Sequence, residues 1–210
     1  MPYRDYLGSM KRILTALAMA LAVAFPVSAP AQDTLPLGDI SAYLNGIETA
    51  ESSFTQFNED GSRSTGTLYI KRPGRMRFEY DPPNSGVVIA GSGTVIVHDT
   101  KSNQPPETYP LKRTPLSIIL ASEVDLDRAN MVVGHSTEGD LTVVRAQDPD
   151  NPEYGHIDLT FSADPVALRQ WIITNEQGAR TAVVLDGLTT GAALSNDLFN
   201  VQVKRGGSNR

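Results

Sequence analysis

Three histidines, one serine between glycines and one run of carboxylates are the residues of this chain with the most obvious chemical potential. His98, His135 and His156 could ligate a metal or act as general bases. None has a His-x-x-x-His partner, and His98-Asp99 falls at the end of a predicted strand, where turn chemistry explains it. Gly91-Ser92-Gly93 shares its glycines with a nucleophile loop but has no strand–elbow–helix context. Asp148, Asp150 and Glu153 lie close enough to hold calcium weakly, yet the twelve-residue calcium-loop pattern is missing, and the stretch reads as a solvated acidic loop. There is no phosphate loop and no dinucleotide fingerprint. The expectation is no catalytic residue, no metal and no cofactor. An exported esterase using His98 or His135 is the enzymatic alternative.

What remains is apolar binding, and one stretch favours it. In Lys71-Arg72-Pro73-Gly74-Arg75-Met76-Arg77-Phe78-Glu79-Tyr80-Asp81-Pro82-Pro83, residues 75–80 alternate strictly. Arg75, Arg77 and Glu79 share one face of a strand, and Met76, Phe78 and Tyr80 the other. The pattern describes a sheet with one side in water and one side lined by large apolar groups. Prolines at both ends fix the limits of the strand.

Around this strand the chain reads as one meander. Leu35, Leu37, Ile40, Tyr43, Leu44 and Ile47 recur at helical spacing and predict an N-terminal helix with an apolar face. Short segments of period two then follow at roughly ten-residue intervals with turn residues between them: 53–58, 64–71, 75–80, 86–90, 94–98, 107–111, 130–135, 140–146, 155–161, 167–174 and 180–185. Gly91-Ser92-Gly93 and Asn175-Glu176-Gln177-Gly178 supply hairpin loops. Thr114-Pro115-Leu116-Ser117-Ile118-Ile119-Leu120 breaks the series with a cap residue, a first-turn proline and a dense apolar run, which predicts a short, poorly solvated helix. The inward set is expected to include Leu68, Ile70, Met76, Phe78, Tyr80, Val87, Ile89, Val95, Val97, Leu159, Phe161, Trp171 and Ile173. Two readings stay open for it: the wall of a cavity, or a dry core in a purely structural domain.

The N-terminus bounds the compartment. Lys11-Arg12, an uncharged run over residues 13–25, and Ala29-Pro30-Ala31 form a basic, an apolar and a cleavage region. Residues 1–31 are expected to be a secretory signal peptide, with translation starting at Met10, and the apolar run is shorter than the ~20 residues that span a bilayer. Residues 32–203 are expected to form one domain and 204–210 a flexible tail. There is no cysteine, so the exported domain would be held by its core alone. Removing residues 1–31 takes three basic and one acidic residue from totals of 18 and 24, leaving a formal charge of −8. That balance argues against nucleic acid and against tight binding to anionic membranes.

The run at residues 71–83 resembles the signature of the outer-membrane lipoprotein carrier (LolA) family of the Gram-negative periplasm. Ser53-Phe54-Thr55-Gln56, Gly66-Thr67-Leu68-Tyr69-Ile70, the apolar run 114–120 and Trp171-Ile172-Ile173-Thr174-Asn175-Glu176-Gln177-Gly178-Ala179-Arg180-Thr181 are similar to further parts of that family. The resemblance implies a mainly β fold with some α. This is a half-closed antiparallel β-barrel of about 11 strands, with the N-terminal and short central helices forming a lid over an apolar cavity. It implies a monomeric, non-enzymatic periplasmic carrier that binds acylated lipoproteins as cargo. An inner-membrane ABC transporter would release the cargo, and an outer-membrane receptor lipoprotein would accept it. By the same resemblance Arg72 is the latch that bonds the lid backbone. Leu68, Ile70, Met76, Phe78, Tyr80, Ile89, Val95, Val97 and Trp171 would line the acyl cavity. Leu44, Ile47, Pro115, Leu116, Ile118, Ile119 and Leu120 would belong to the lid. A module of the same fold that binds free lipid or senses envelope stress is the alternative.

Overall fold

A computed structural model describes residues 34–84, 86–99, 104–127 and 130–200. The expected signal peptide and the tail lie outside these residues. Pro36 precedes the first helix, α1 (Leu37–Asn45), and Gly46 ends it. The apolar spacing that began at Leu35 thus overruns the helix at both ends. Strands β1 (Thr49–Asn58), β2 (Arg63–Lys71), β3 (Arg75–Tyr80), β4 (Gly86–Gly91), β5 (Thr94–Asp99) and β6 (Glu107–Pro110) follow as antiparallel neighbours. After the short helix α2 (Leu116–Ile119) come β7 (Val132–Glu138), β8 (Leu141–Gln147), β9 (His156–Ala163), β10 (Val166–Thr174) and β11 (Arg180–Leu185). A two-residue strand, β12 (Thr189–Thr190), pairs with the start of β1. Two consecutive threonines carry no period, which is why this strand left no mark in the sequence.

The sheet order runs β6-β5-β4-β3-β2-β1-β11-β10-β9-β8-β7, and no ladder among the described residues joins β6 to β7. The sheet is therefore a half-closed antiparallel barrel with two free edges. This topology dictates where the lid goes. The chain must pass from one free edge to the other after β6, and the apolar side chains of residues 111–127 gain burial by lying over the concave face. Leu116, Ile118, Ile119, Leu120, Val124 and Leu126 all join the inner core.

Cross-strand register identifies the inner face. One row runs Ala50, Ile70, Met76, Ala90 and Val95; the next runs Ser52, Leu68, Phe78, Val88 and Val97. A third row joins Phe54, Gly66 and Tyr80. A Cβ on Gly66 would collide with the Glu79 carbonyl oxygen and the Phe54 ring, so glycine there lets the ring lie flat on the sheet. Trp171, Leu159 and Val144 continue the inner face across β10, β9 and β8.

The convex face of β3 is not left to water as its alternation suggests. The C-terminal segment straps across it, ending in a 3₁₀ turn (Asn196–Phe199) that packs on β3 and β4. Outward basic side chains hold the strap: Lys71 Nζ donates to Leu194 O at 2.6 Å, Arg75 Nη1 to Asn196 Oδ1 at 2.7 Å and Arg77 Nη1 to Leu198 O at 3.2 Å. Phe199 is buried there, outside the inner core. Phe199→Ala should cost about 3 kcal/mol in urea unfolding. A loss within ~0.5 kcal/mol, the range of an ordinary surface change, would show that the strap contributes nothing to the fold.

Candidate functional site

The interior is apolar and nearly full. Leu68, Ile70, Met76, Phe78, Val95 and Trp171 are buried in one cluster with Leu44, Ile47, Leu116, Ile118, Ile119 and Leu120. Pro115 is buried beside them. A void of about 10 Å³ remains under the lid, lined by Leu44, Ile47, Ile70, Arg72, Met76, Ile119, Leu120, Leu168 and Leu188. That is room for at most one water, so an acyl chain can enter this part of the core only if the lid opens.

Two helix ends and one arginine close that side. Arg72 Nη1 donates to the carbonyl of Leu44, in the last turn of α1. Its Nη2 and Nε donate to the carbonyl of Ala121, just beyond α2, at 2.7 and 3.2 Å, and Nη2 also reaches Asn45 Oδ1 at 3.2 Å. Leu44 O also accepts from Ile47 N at 3.2 Å, but helix C-termini carry partial negative charge, so one planar guanidinium is drawn to both ends at once. Burial lowers the Arg72 pKa. Backbone bonds flank the latch: Arg72 N donates to Glu48 O and Gly74 N to Leu120 O. Asn45 was not foreseen. Its Nδ2 donates to Val124 O and its Oδ1 accepts from Val124 N, at 2.8 and 2.9 Å. A polar residue closing a helix looks like any surface asparagine in sequence, so only the tertiary contact reveals this tie.

Away from the lid the interior is aromatic. Phe54 meets Phe78 and Tyr80 edge-on at 5.1 and 5.3 Å, and Phe78 meets Trp171 edge-on at 6.2 Å. Trp171 is fully buried, and its indole N–H has no hydrogen-bond partner among the described residues. Tyr80 donates from its hydroxyl to Gln56 Oε1 at 2.7 Å. Burial pushes the Tyr80 pKa up to about 12. Below pH 10 the phenol is neutral in both folded and unfolded chains. Between about 10 and 12 the unfolded chain loses the proton first, so stability should fall by on the order of 2–3 kcal/mol as pH rises through that window. Phenolate absorbance should show a late step near pH 12 that Tyr80→Phe removes. An unchanged titration curve in Tyr80→Phe would contradict this environment.

Two expected wall residues are elsewhere. Ile89 pairs with Arg77 and Ile96, on the convex face, and is buried outside the inner cluster where the strap packs. Val88 and Ala90 take the inward places assigned to Val87 and Ile89. An apolar run of Val87-Val88-Ile89 has no phase of its own, and only pairing with β3 sets it. Val97 does share the inner face with Val95, but it is 38% exposed. It lies at the open end of the sheet, in a 320 Å³ pocket with Tyr80, Val88 and Gln56.

The histidines do not assemble a centre. His135 Nε2 lies 2.9 Å from Leu35 O, His98 faces the convex side opposite Val87, and His156 is 4.0 Å from Asp158 with its pKa lowered chiefly by burial. Ser92 occupies a tight turn at φ 50°. Among the described residues no three histidine or carboxylate groups are arranged to hold a metal. No helix among them is long and apolar enough to cross a membrane.

Residues 45–202 match the family described as outer membrane lipoprotein carrier protein LolA. An outer-membrane lipoprotein carrier protein from Chromohalobacter salexigens is 24% identical over 208 residues, covering 94% of this chain and 96% of its own. One from Chromobacterium violaceum is 25% identical, covering 87% and 88%. Among solved structures, a putative outer membrane lipoprotein-sorting protein domain from Vibrio parahaemolyticus aligns at a TM-score of 0.43 with 11% identity, over 80% of this chain and 96% of that one.

Proposed function

We propose a mechanism from one premise: the chain belongs to the outer membrane lipoprotein carrier (LolA) family. In this reading it is a periplasmic carrier, not an enzyme. It takes the acyl chains of lipoproteins released by an inner-membrane ABC transporter and delivers them to an outer-membrane receptor lipoprotein. The observation that carries the reading is an apolar interior with almost no room under its lid, closed by helix ends that a single arginine ties together.

The physical case is one of balance. Each buried CH₂ is worth about 0.8 kcal/mol, so a preformed cavity matched to several acyl chains would scarcely release them. A filled core must first be opened. Opening breaks the Arg72 bonds, each worth ~1.5–3 kcal/mol when charge-assisted, and wets apolar surface under the lid. Both costs are subtracted from cargo affinity, and both favour hand-off to any acceptor whose own site costs less to open. The inner residues Leu68, Ile70, Met76, Phe78, Tyr80, Val95 and Trp171 supply the wall. Leu44, Ile47 and residues 115–120 supply the moving cover. Nothing in this scheme requires nucleotide or covalent chemistry in the chain itself.

The test is release of lipoproteins from spheroplasts by the purified protein of residues 32–210. Acylated lipoproteins should appear in the supernatant as a one-to-one soluble complex. Recovery of the protein with free lipid and no lipoprotein would replace the carrier reading with lipid transport or envelope sensing.

A further inference from the structure

Lys71 and Arg72 border a groove of about 380 Å³ outside the lid, with Asn45, Glu48 and Ser122 also in its wall. Both cations bond only neutral acceptors among the described residues. Lys71 Nζ donates to Leu194 O, and Arg72 donates to Leu44 O, Ala121 O and Asn45 Oδ1. No carboxylate lies within ion-pair distance of either cation among the described residues. The Arg72 guanidinium is partly buried, and no anion offsets the resulting drop in its pKa. The bond to Asn45 is at the surface, so the fork can be reached from the groove. Glu48 is the acidic residue of the groove wall. Its side chain is exposed, and its backbone carbonyl already accepts from Arg72 N.

A carboxylate can accept both arms of a guanidinium as a matched pair and adds a full charge–charge attraction that a neutral carbonyl lacks. A latch satisfied only by neutral oxygens is therefore open to competition from an anion, and Lys71, whose Nζ is held by Leu194 O, adds positive charge to the border of the same groove. We propose that this groove receives an acidic side chain from a protein partner, and that the carboxylate draws Arg72 off the two helix ends and so unlatches the lid. The inference deepens the carrier reading, since it names the chemistry that would open the site during hand-over. A protein loop fits better than an anionic bilayer. The exported part carries a formal charge of −8, which opposes approach to an extended negative surface but costs a single buried carboxylate little.

Hydrogen exchange tests this without any cargo, so its outcome is separate from that of the spheroplast experiment. The amides to follow are Gly74, bonded to Leu120 O, and Val124, bonded to Asn45 Oδ1. The probe is the peptide acetyl-Glu-Gly-Glu-amide at millimolar concentration, and the control is its glutamine analogue at equal ionic strength. The acidic peptide should speed exchange at both amides by about tenfold, and the control should not. Lys71→Gln keeps a donor for Leu194 O but removes the charge, and should reduce the acceleration several-fold. Equal effects of the two peptides, no effect of either, or full acceleration in Lys71→Gln would overturn the proposal. So would acceleration by phosphatidylglycerol vesicles where the acidic peptide gives none.

Discussion

Arg72→Leu should leave a protein that loads cargo and fails to let it go. The substitution removes every guanidinium bond to Leu44, Ala121 and Asn45. The two helix-end carbonyls can turn to water once the lid is loose, so the folded state loses little. Leucine is apolar and sits beside a void already lined by Ile47, Met76 and Leu188, where it can pack. The cost of opening the lid thus falls by at least one charge-assisted bond, ~1.5–3 kcal/mol. At 1.4 kcal/mol per decade, cargo should be held about 10- to 100-fold more tightly. Transfer from the purified complex to membranes bearing the receptor lipoprotein measures this directly. The loaded variant should transfer slower by that factor, with loading itself intact. Release at the wild-type rate would remove Arg72 from the latch role. Arg72→Lys separates charge from geometry: an ammonium is a point donor and cannot bridge Leu44 O and Ala121 O as a planar fork does. The lysine variant should therefore behave closer to leucine than to arginine.

The same motif shows how far sequence could be read and where reading stopped. Met76, Phe78 and Tyr80 were legible because charged neighbours mark the phase of their strand, and the structure puts all three on the inner face. Val87-Val88-Ile89 offers no such marker, and the inward side was assigned one residue out of step. Arg75 and Arg77 were legible as outward but not as occupied. Their partners, Asn196 and Leu198, lie 121 residues further along, and nothing local announces a strap. The lid helices were legible as short apolar segments that no surface could tolerate. That α2 reaches Arg72 follows from the chain having to cross between two free sheet edges, a consequence of strand order that no single segment encodes. Asn45 and Leu188 belong to the same class: ordinary residues given their places by topology.

Phe78→Glu carries the larger risk and the larger effect. Phe78 touches Phe54, Tyr80 and Trp171 in the aromatic part of the interior. Removing a buried phenyl costs ~3–5 kcal/mol, and an ionised carboxylate there would also be desolvated and unpaired. The variant should therefore stay folded only by holding the new carboxyl neutral or by letting water into the barrel. Either response ruins an acyl site, because a chain can no longer displace the water or pack against a ring. Binding of an acyl probe should drop by two orders of magnitude or more. Since unfolding would give the same result, Phe78→Leu provides the control. It preserves an apolar wall at modest cost in packing, and it should keep binding within a few-fold of wild type. Trp171, the single tryptophan of the chain, reports whether the core survives, because it packs edge-on against Phe78 and is fully buried. Blue-shifted emission from Phe78→Glu together with lost acyl binding would place Phe78 in the acyl path. Retained binding with the same emission would place the acyl chains elsewhere, with the open-end pocket around Val88 and Val97 as the next site to probe.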